Sequence, residues 1–144
     1  MRLSSDDLPM FFEAAHTTLA TRLREAMPAL EALEQPGAYG SEAERDRAAA
    51  RALAEACLFD LVVPLGDTDA ASQLETPGSP LIDTRGLCLA REMLGYVSPR
   101  ADSIFAVQGL GTHAIALAGN ASQRAHLKAF ARGAGIAAFA LTEP

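Results

Sequence analysis

The chain of 144 residues carries a net charge of −6, a hydrophobic fraction of 49% and a charged fraction of 21%, values typical of one folded domain. The acidic balance, without a cluster of Lys or Arg, argues against a nucleic-acid partner because such proteins need a basic face. Thirty alanines and the absence of Trp favour closely packed helices over a β-sandwich.

The first third of the chain is predicted to form two helices. Apolar residues recur every three or four positions over residues 8–27, which places them on one helical face. Asp6 or Asp7 is the expected cap, and Pro28 is expected to end or kink the helix because proline lacks an amide donor. A second helix is expected over residues 41–58, since the Ser-Glu-Ala-Glu sequence at its start forms a capping box.

The middle of the chain is predicted to leave the helical pattern. Residues 58–64 form an apolar run that ends at a proline, and we expect a buried extended piece there. Residues 66–80 are polar and contain several glycines and prolines, which predicts a loop. A third helix is expected from a cap at Asp83 to about Tyr96.

The last third is predicted to add two helices and a strand. A Ser-Pro pair predicts the start of a fourth helix over residues 98–118, and Gly119 is expected to stop it in a left-handed conformation. A second capping box predicts a fifth helix over residues 120–133. Residues 136–144 form a short apolar run that we predict to be a strand. The expected fold is all-α, a bundle of about five to six helices with a short C-terminal strand.

The cysteines and histidines of this chain do not follow the spacing of a known metal-binding or redox motif. Cys57 and Cys88 lie in apolar helical patterns, which predicts reduced thiols in the core. His16, His113 and His126 lack metal-ligand spacing, so we expect surface or satisfied core histidines and no metal site. No signal peptide or membrane-span pattern is visible, which predicts a cytoplasmic protein.

The second half of the chain carries several short motifs in a fixed order. Leu94-Gly95 closes the third predicted helix, Gly119-Asn120 is followed by Gln123, and Phe-Ala-Leu-Thr-Glu-Pro occupies residues 139–144. These motifs resemble the N-terminal helical domain of the acyl-CoA dehydrogenase family of flavoproteins. The resemblance covers residues 41–144, and its Thr-Glu-Pro ending is its most specific part.

Departures from the family pattern are also visible. Cys57 stands where a glycine is usual, and no Gly-Gly-x-Gly run follows Pro64, so the wall of the acyl site is expected to differ. Family members continue through a β-barrel domain and a second helical bundle. We therefore expect the chain to be a fragment, with residues 1–135 as the N-terminal helical domain and residues 136–144 as the first strand toward a missing barrel.

The resemblance implies a flavin contact at the C-terminal strand. In the family this strand lies against the isoalloxazine ring of FAD, which makes Phe139, Leu141 and Thr142 the cofactor-binding candidates. Hydrogen bonds to the ring edge stabilise the electron-rich reduced flavin. The alternative interpretation is that an aromatic and aliphatic strand simply belongs to the core.

The resemblance also implies a substrate contact on the fourth predicted helix. The equivalent family helix lines the acyl-chain cavity, so Ser103, Ala106 and Leu110 are the substrate-binding candidates. The alternative is that small residues simply pack in an Ala-rich helix. No residue of this chain is assigned a catalytic role, because the family base comes from the C-terminal bundle and Glu143 matches a supporting glutamate.

The activity implied by the resemblance is that of an FAD-dependent acyl-CoA dehydrogenase. Such an enzyme removes the α proton of an acyl-CoA with a carboxylate while the β hydride passes to flavin. An electron-transfer flavoprotein and a homo-oligomeric assembly are implied for the full enzyme, whereas the chain alone is expected to be inactive. The alternatives are an acyl-CoA oxidase or flavin monooxygenase of the same superfamily, and a non-catalytic helical module or remnant that binds an acyl chain or a partner.

Overall fold

The computed structural model describes residues 1–37, 39–65 and 82–141, and its regular elements there are all helical. In chain order they are α1 (Ser4–Asp7), a 3-10 turn (Pro9–Phe11), α2 (Ala14–Ala32), α3 (Glu42–Glu55), a second 3-10 turn (Leu58–Leu61), α4 (Thr84–Val97), α5 (Pro99–Ala118), α6 (Ala121–Ala125) and α7 (Leu127–Ala131). The predicted helical bundle is confirmed. The loop predicted for residues 66–80 lies outside the described residues.

Helix α5 occupies the centre of this arrangement. It contacts α3, α4, α6, α7 and the second 3-10 turn, while α2 packs mainly against α4. The fully buried side chains of Phe59, Met93 and Phe105 fill the space between these elements. At the surface, the guanidinium of Arg91 donates to the Asp102 carboxylate at 2.6 Å and joins α4 to α5. Across the described part of the chain, no helix has both the length and the hydropathy that a bilayer span requires.

The beginning of the chain differs from its prediction. Asp6 and Asp7 lie inside the short helix α1 and do not cap α2, whose N-cap is Glu13. Pro28 neither ends α2 nor marks its last turn, because the helix continues to Ala32. The loss of one hydrogen bond at Pro28 is offset by burial, since Leu30 in the following turn is fully enclosed by the core.

Three predicted helix starts are confirmed, and a fourth, at α3, is confirmed in part. Asp83 caps α4, Ser98 caps α5, and Asn120 caps α6 in a complete capping box with Gln123. At α3, the Ser41 hydroxyl accepts from the Glu44 amide. The carboxylate of that glutamate accepts from the amide of residue 40, so only half of the predicted capping box forms.

Two local conformations differ from expectation. The apolar run at residues 58–64 is buried as predicted, but its first part is a 3-10 turn and not an extended piece. Gly119 is extended, with φ −69° and ψ 147°, whereas Gly133, at the end of the fifth predicted helix, is left-handed at φ 72°. The fifth predicted helix is divided at His126 into α6 and α7. Hydrophobic patterns report burial well, but they separate short helical turns from short extended runs poorly.

The C-terminal strand is not formed in the described residues. Residues 135–141 have no strand assignment, and no second strand is present there to supply a ladder of hydrogen bonds. The Ala137 amide donates to the side chain of Gln108 instead, at 2.7 Å. A strand requires a partner strand, so apolar sequence alone does not produce one.

Both cysteines lie at the surface, which corrects the prediction that they are core thiols. Cys57 follows α3 and has a left-handed backbone, at φ 53° and ψ 30°. No other non-glycine residue in the described part of the chain has this conformation. This conformation turns the chain from α3 into the Leu58–Leu61 turn. A glycine would adopt this conformation with less strain than cysteine, because a Cβ atom is unfavourable in this region.

We predict that Cys57→Gly raises the free energy of unfolding by about 0.5–1 kcal/mol, because it relieves left-handed strain that exceeds the entropic cost of glycine. Urea denaturation of the purified chain measures this change. The matched control is Cys88→Gly, an exposed position inside α4, where the same substitution lowers stability by about 0.5 kcal/mol. Equal destabilisation by both substitutions would contradict the strain at residue 57.

Candidate functional site

The C-terminal segment, residues 135–141, lies against α5 and is held there by Gln108. The Gln108 side chain is fully buried. Its Nε2 donates to the carbonyl oxygens of Phe130 at 2.8 Å and Gly135 at 3.2 Å, and its Oε1 accepts from the Ala137 amide at 2.7 Å. One amide group thus binds one carbonyl of α7 and two backbone groups of an irregular segment that has no strand beside it in the described residues.

The close approach of this segment depends on Gly111. A Cβ atom at this position would lie 2.6 Å from the carbonyl carbon of Ala137 and 2.6 Å from the nitrogen of Ala138. Side chains other than hydrogen therefore do not fit unless the segment moves. Glycine is unfavourable inside a helix, so its presence here is explained by the backbone that crosses it.

The opposite flank of α5 is organised in the same way. Gly109 faces the side chain of Val62, which a Cβ atom would meet at 3.1 Å. The Thr112 hydroxyl lies 2.7 Å from the carbonyl oxygen of Gln108 and 3.1 Å from that of Val62. Helix α5 therefore holds an irregular segment on each side through a buried polar side chain and a glycine.

The flavin candidates lie on the free part of the C-terminal segment. Phe139 is 54% exposed and Leu141 is 74% exposed, whereas Thr142 lies outside the described residues. No acceptor in residues 1–37, 39–65 and 82–141 receives a hydrogen bond from the backbone amides of residues 138–141. These residues combine apolar surface with donors that the described fold does not use.

The substrate candidates share one face of α5, since Ser103, Ala106 and Leu110 are spaced by three and four residues. Ser103 is exposed, and its hydroxyl donates to the carbonyl oxygen of Pro99 at 2.9 Å. It lines an open, partly charged depression beside Arg100 and so does not face an apolar cavity. Ala106 is half-buried, while Leu110 is 62% exposed.

The uncovered side of α5 is apolar along its second half. We define this outward face by Val107, Leu110 and Leu117, which are exposed and follow one another at helical spacing. His113 lies beside them, half-buried, and its Nδ1 atom has no partner among the described residues. A clustered apolar face of this kind is typical of interaction sites.

A second group of polar residues joins the starts of α2 and α4. His16 is buried, its Nδ1 accepts from the Glu13 amide at 3.0 Å, and its Nε2 lies 2.7 Å from the Asp83 carboxylate. Because Nδ1 accepts, the ring proton is on Nε2 and is donated to Asp83. The other oxygen of Asp83 accepts from the Arg85 amide at 3.0 Å. His16 is therefore a satisfied core histidine that links two helix caps.

The ionisation of Asp83 reflects this cap. Burial by itself raises the pKa of Asp83, but hydrogen bonds from the backbone of Arg85 and the ring of His16 outweigh it, and the pKa lies below its ordinary value of 3.8. The folded chain therefore stabilises the charged carboxylate of Asp83. The described residues contain no group of three or more His, Cys, Asp or Glu side chains arranged to hold a metal.

The two residues that build the site, Gln108 and Gly111, were not identified from the sequence. The available signal is the position of Gln108 three residues after Phe105 and four before Thr112, which places it on the inward face of the helix. A long polar side chain on an inward face needs partners, although sequence does not reveal which ones.

Comparisons with known proteins add no assignment, because no protein-family model and no curated protein matches this chain.

We predict that the free energy of unfolding depends less strongly on pH in the acid range when Asp83 is replaced by Asn (Asp83→Asn). The pKa of Asp83 is depressed in the folded chain, so its stabilisation is present above the ordinary value of 3.8 and is lost as the pH falls through the lower folded value. The unfolding free energy measured at several pH values between about 6 and 2 should fall less steeply in the variant. The control is Asp60→Asn at an exposed position, and an identical effect of both variants would contradict the cap.

We predict that Gly111→Ala lowers the free energy of unfolding by about 1–3 kcal/mol, because the added methyl group overlaps the backbone of the C-terminal segment. Gly95→Ala is the matched control, since this exposed glycine of α4 has no atom within 4 Å of the added methyl. There the better helix propensity of alanine should raise stability by about 0.5–1 kcal/mol. Urea denaturation of both variants measures the difference, and stabilisation by Gly111→Ala would contradict the close approach.

Proposed function

We propose that this chain is the N-terminal helical domain of an FAD-dependent acyl-CoA dehydrogenase, in which the C-terminal segment contacts flavin and the outward face of α5 contacts the acyl chain. The observation that carries the proposal is the exposed end of the C-terminal segment. Its root is anchored by Gln108, while Phe139 and Leu141 are exposed and the amides of residues 138–141 donate to no acceptor among the described residues. The resemblance of the Thr-Glu-Pro ending supplies the choice of ligand.

The residues present fit a flavin in chemical terms. An isoalloxazine ring has apolar faces and carries nitrogen and carbonyl acceptors along its edge. Phe139 and Leu141 offer apolar contact, and the amides of residues 138–141, which have no acceptor in the described part of the chain, offer donors. When bound, FAD supplies the hydride acceptor, and the role of this chain is to bind and orient the ring. Thr142 is proposed as a further donor on the resemblance alone.

The outward face of α5 suits an aliphatic ligand. Val107, Leu110 and Leu117 present exposed apolar side chains without a charged residue between them. Ala106 in the same region leaves room because its side chain is small. Burial of these side chains under an acyl chain is favourable by about 25 cal/mol per Å² of apolar surface. The proposal assigns the α-proton base to no residue of this chain, and it includes a homo-oligomeric, cytoplasmic enzyme that passes electrons to an electron-transfer flavoprotein.

The test is made on protein expressed from the complete reading frame that contains this chain. We expect a yellow protein whose visible flavin absorbance bleaches under anaerobic conditions when butyryl-, octanoyl- or palmitoyl-CoA is added. A protein that neither carries nor binds FAD, or whose flavin no acyl-CoA reduces, would overturn the proposal. The flavin of an acyl-CoA oxidase of the same superfamily would also bleach. Its reduced flavin would then be reoxidised rapidly when air is admitted.

Leu110→Glu tests the acyl contact separately. A carboxylate placed against an aliphatic chain loses hydration, so the KM for octanoyl-CoA should rise about tenfold or more. Met10→Glu is the matched control, because Met10 is 74% exposed on the first 3-10 turn, outside α5. Equal changes in KM for both variants would show that the outward face does not contact the acyl chain.

The exposed outward face also favours a second candidate, a non-catalytic module that binds an acyl chain or a protein partner. This candidate predicts binding of octanoyl-CoA that is lost in Leu110→Glu but requires no flavin. Isothermal titration of the same protein without added FAD therefore separates it from the dehydrogenase.

A further inference from the structure

We infer that Gln108 is the positioning residue for the flavin contact, because its side chain fixes where residues 138–141 lie on α5. The inference rests on the proposed function and extends it to a residue that touches neither flavin nor substrate. Two features anchor the C-terminal segment on α5, namely the hydrogen bonds of Gln108 and the close backbone approach at Gly111.

The first argument is the distribution of the Gln108 bonds along the chain. They reach the carbonyl of Phe130 in α7, the carbonyl of Gly135 at the start of the C-terminal segment, and the amide of Ala137 inside it. A single rigid amide plane thus relates a helix to the segment that leaves it. Because the side chain is fully buried, water does not replace these bonds when the segment shifts.

The second argument is that the Ala137 bond is the last described anchor before the free end. Beyond it, the amides of residues 138–141 donate to no acceptor within the described chain. Gly111 permits contact with the backbone of Ala137 and Ala138, but a close approach alone leaves the segment free to slide along the helix. The hydrogen bonds of Gln108 determine the register, and the glycine determines the separation.

The decisive variant is Gln108→Met, which keeps the length of the side chain and the helix propensity but removes all three hydrogen bonds. In the purified chain without flavin, we expect the Ala137 amide to exchange with deuterium at least about tenfold faster. In the complete protein, we expect the dissociation constant for FAD to rise about tenfold and the visible circular dichroism of the bound flavin to change.

The matched control is Thr112→Val. Thr112 is also fully buried on the inward side of α5, one turn from Gln108. Its hydroxyl lies against the backbone carbonyl oxygens of Gln108 and Val62, and none of its hydrogen bonds reaches the C-terminal segment. It therefore tests the loss of a buried polar group without a change to the C-terminal segment. We expect it to lower thermal stability while the FAD dissociation constant and the flavin circular dichroism stay unchanged.

A second variant covers the case in which Gln108→Met fails to fold. Gly111→Ala retains the Gln108 amide but pushes the backbone of Ala137 away, and it should change the flavin circular dichroism in the same direction. The inference is overturned if Thr112→Val weakens FAD binding as much as Gln108→Met does, or if a folded Gln108→Met leaves FAD binding and its circular dichroism unchanged. Where Gln108→Met does not fold, the inference is overturned if Gly111→Ala leaves both unchanged.

The failure of the proposed function has a different signature. If the wild-type complete protein binds no FAD, the flavin role of Gln108 is overturned together with the proposed function. The deuterium exchange of Ala137 still reports whether Gln108 holds the segment. If the wild type binds FAD and reacts with acyl-CoA while Gln108→Met behaves like wild type, only the positioning role is overturned.

Discussion

Irregular backbone packed into a protein core must find hydrogen-bond partners, and in this chain helix α5 supplies them. Two side chains of that helix meet the requirement, since Gln108 serves the C-terminal segment and Thr112 serves the carbonyl of Val62. Each lies near a glycine, Gly111 or Gly109, that lets the neighbouring segment approach. The positions of both flanking segments therefore depend on the polar and glycine residues of one helix. An α5 made only of alanine and leucine would leave these backbone groups unpaired.

This use of α5 determines which surface remains for a ligand. Its inward side is closed by the core, and its two flanks are closed by the chain around Val62 and by the C-terminal segment. Within the described residues, the outward face is therefore the side left open. The exposed apolar residues of the helix, Leu110 and Leu117 among them, lie on that face. Phe139 and Leu141 are exposed beyond the segment's last anchor. The candidate site is thus a consequence of the packing rather than an addition to it.

Sequence reasoning performed best where structure is local. The caps Asp83, Ser98 and Asn120 were predicted because each acts on an amide within three residues. The Gln108 contacts were not, because they join residues 22 to 29 positions apart and depend on the final packing. The left-handed backbone at Cys57 was not predicted either, because cysteine carries no local signal for that conformation. The Thr142 candidate stays a prediction, since it lies outside the described residues.

The conformation of the C-terminal segment bears on whether Phe139 and Leu141 simply belong to the core. Side chains of a core strand are buried and its amides are paired with neighbouring strands. Here Phe139 and Leu141 are more than half exposed, and the amides of residues 138–141 have no acceptor in the described chain. The same segment is nevertheless tied at Ala137 by a buried side chain, so it is not simply a frayed end. Firm anchoring next to unused donors and apolar surface is the arrangement expected where a chain presents its backbone to a ligand or to another structural unit.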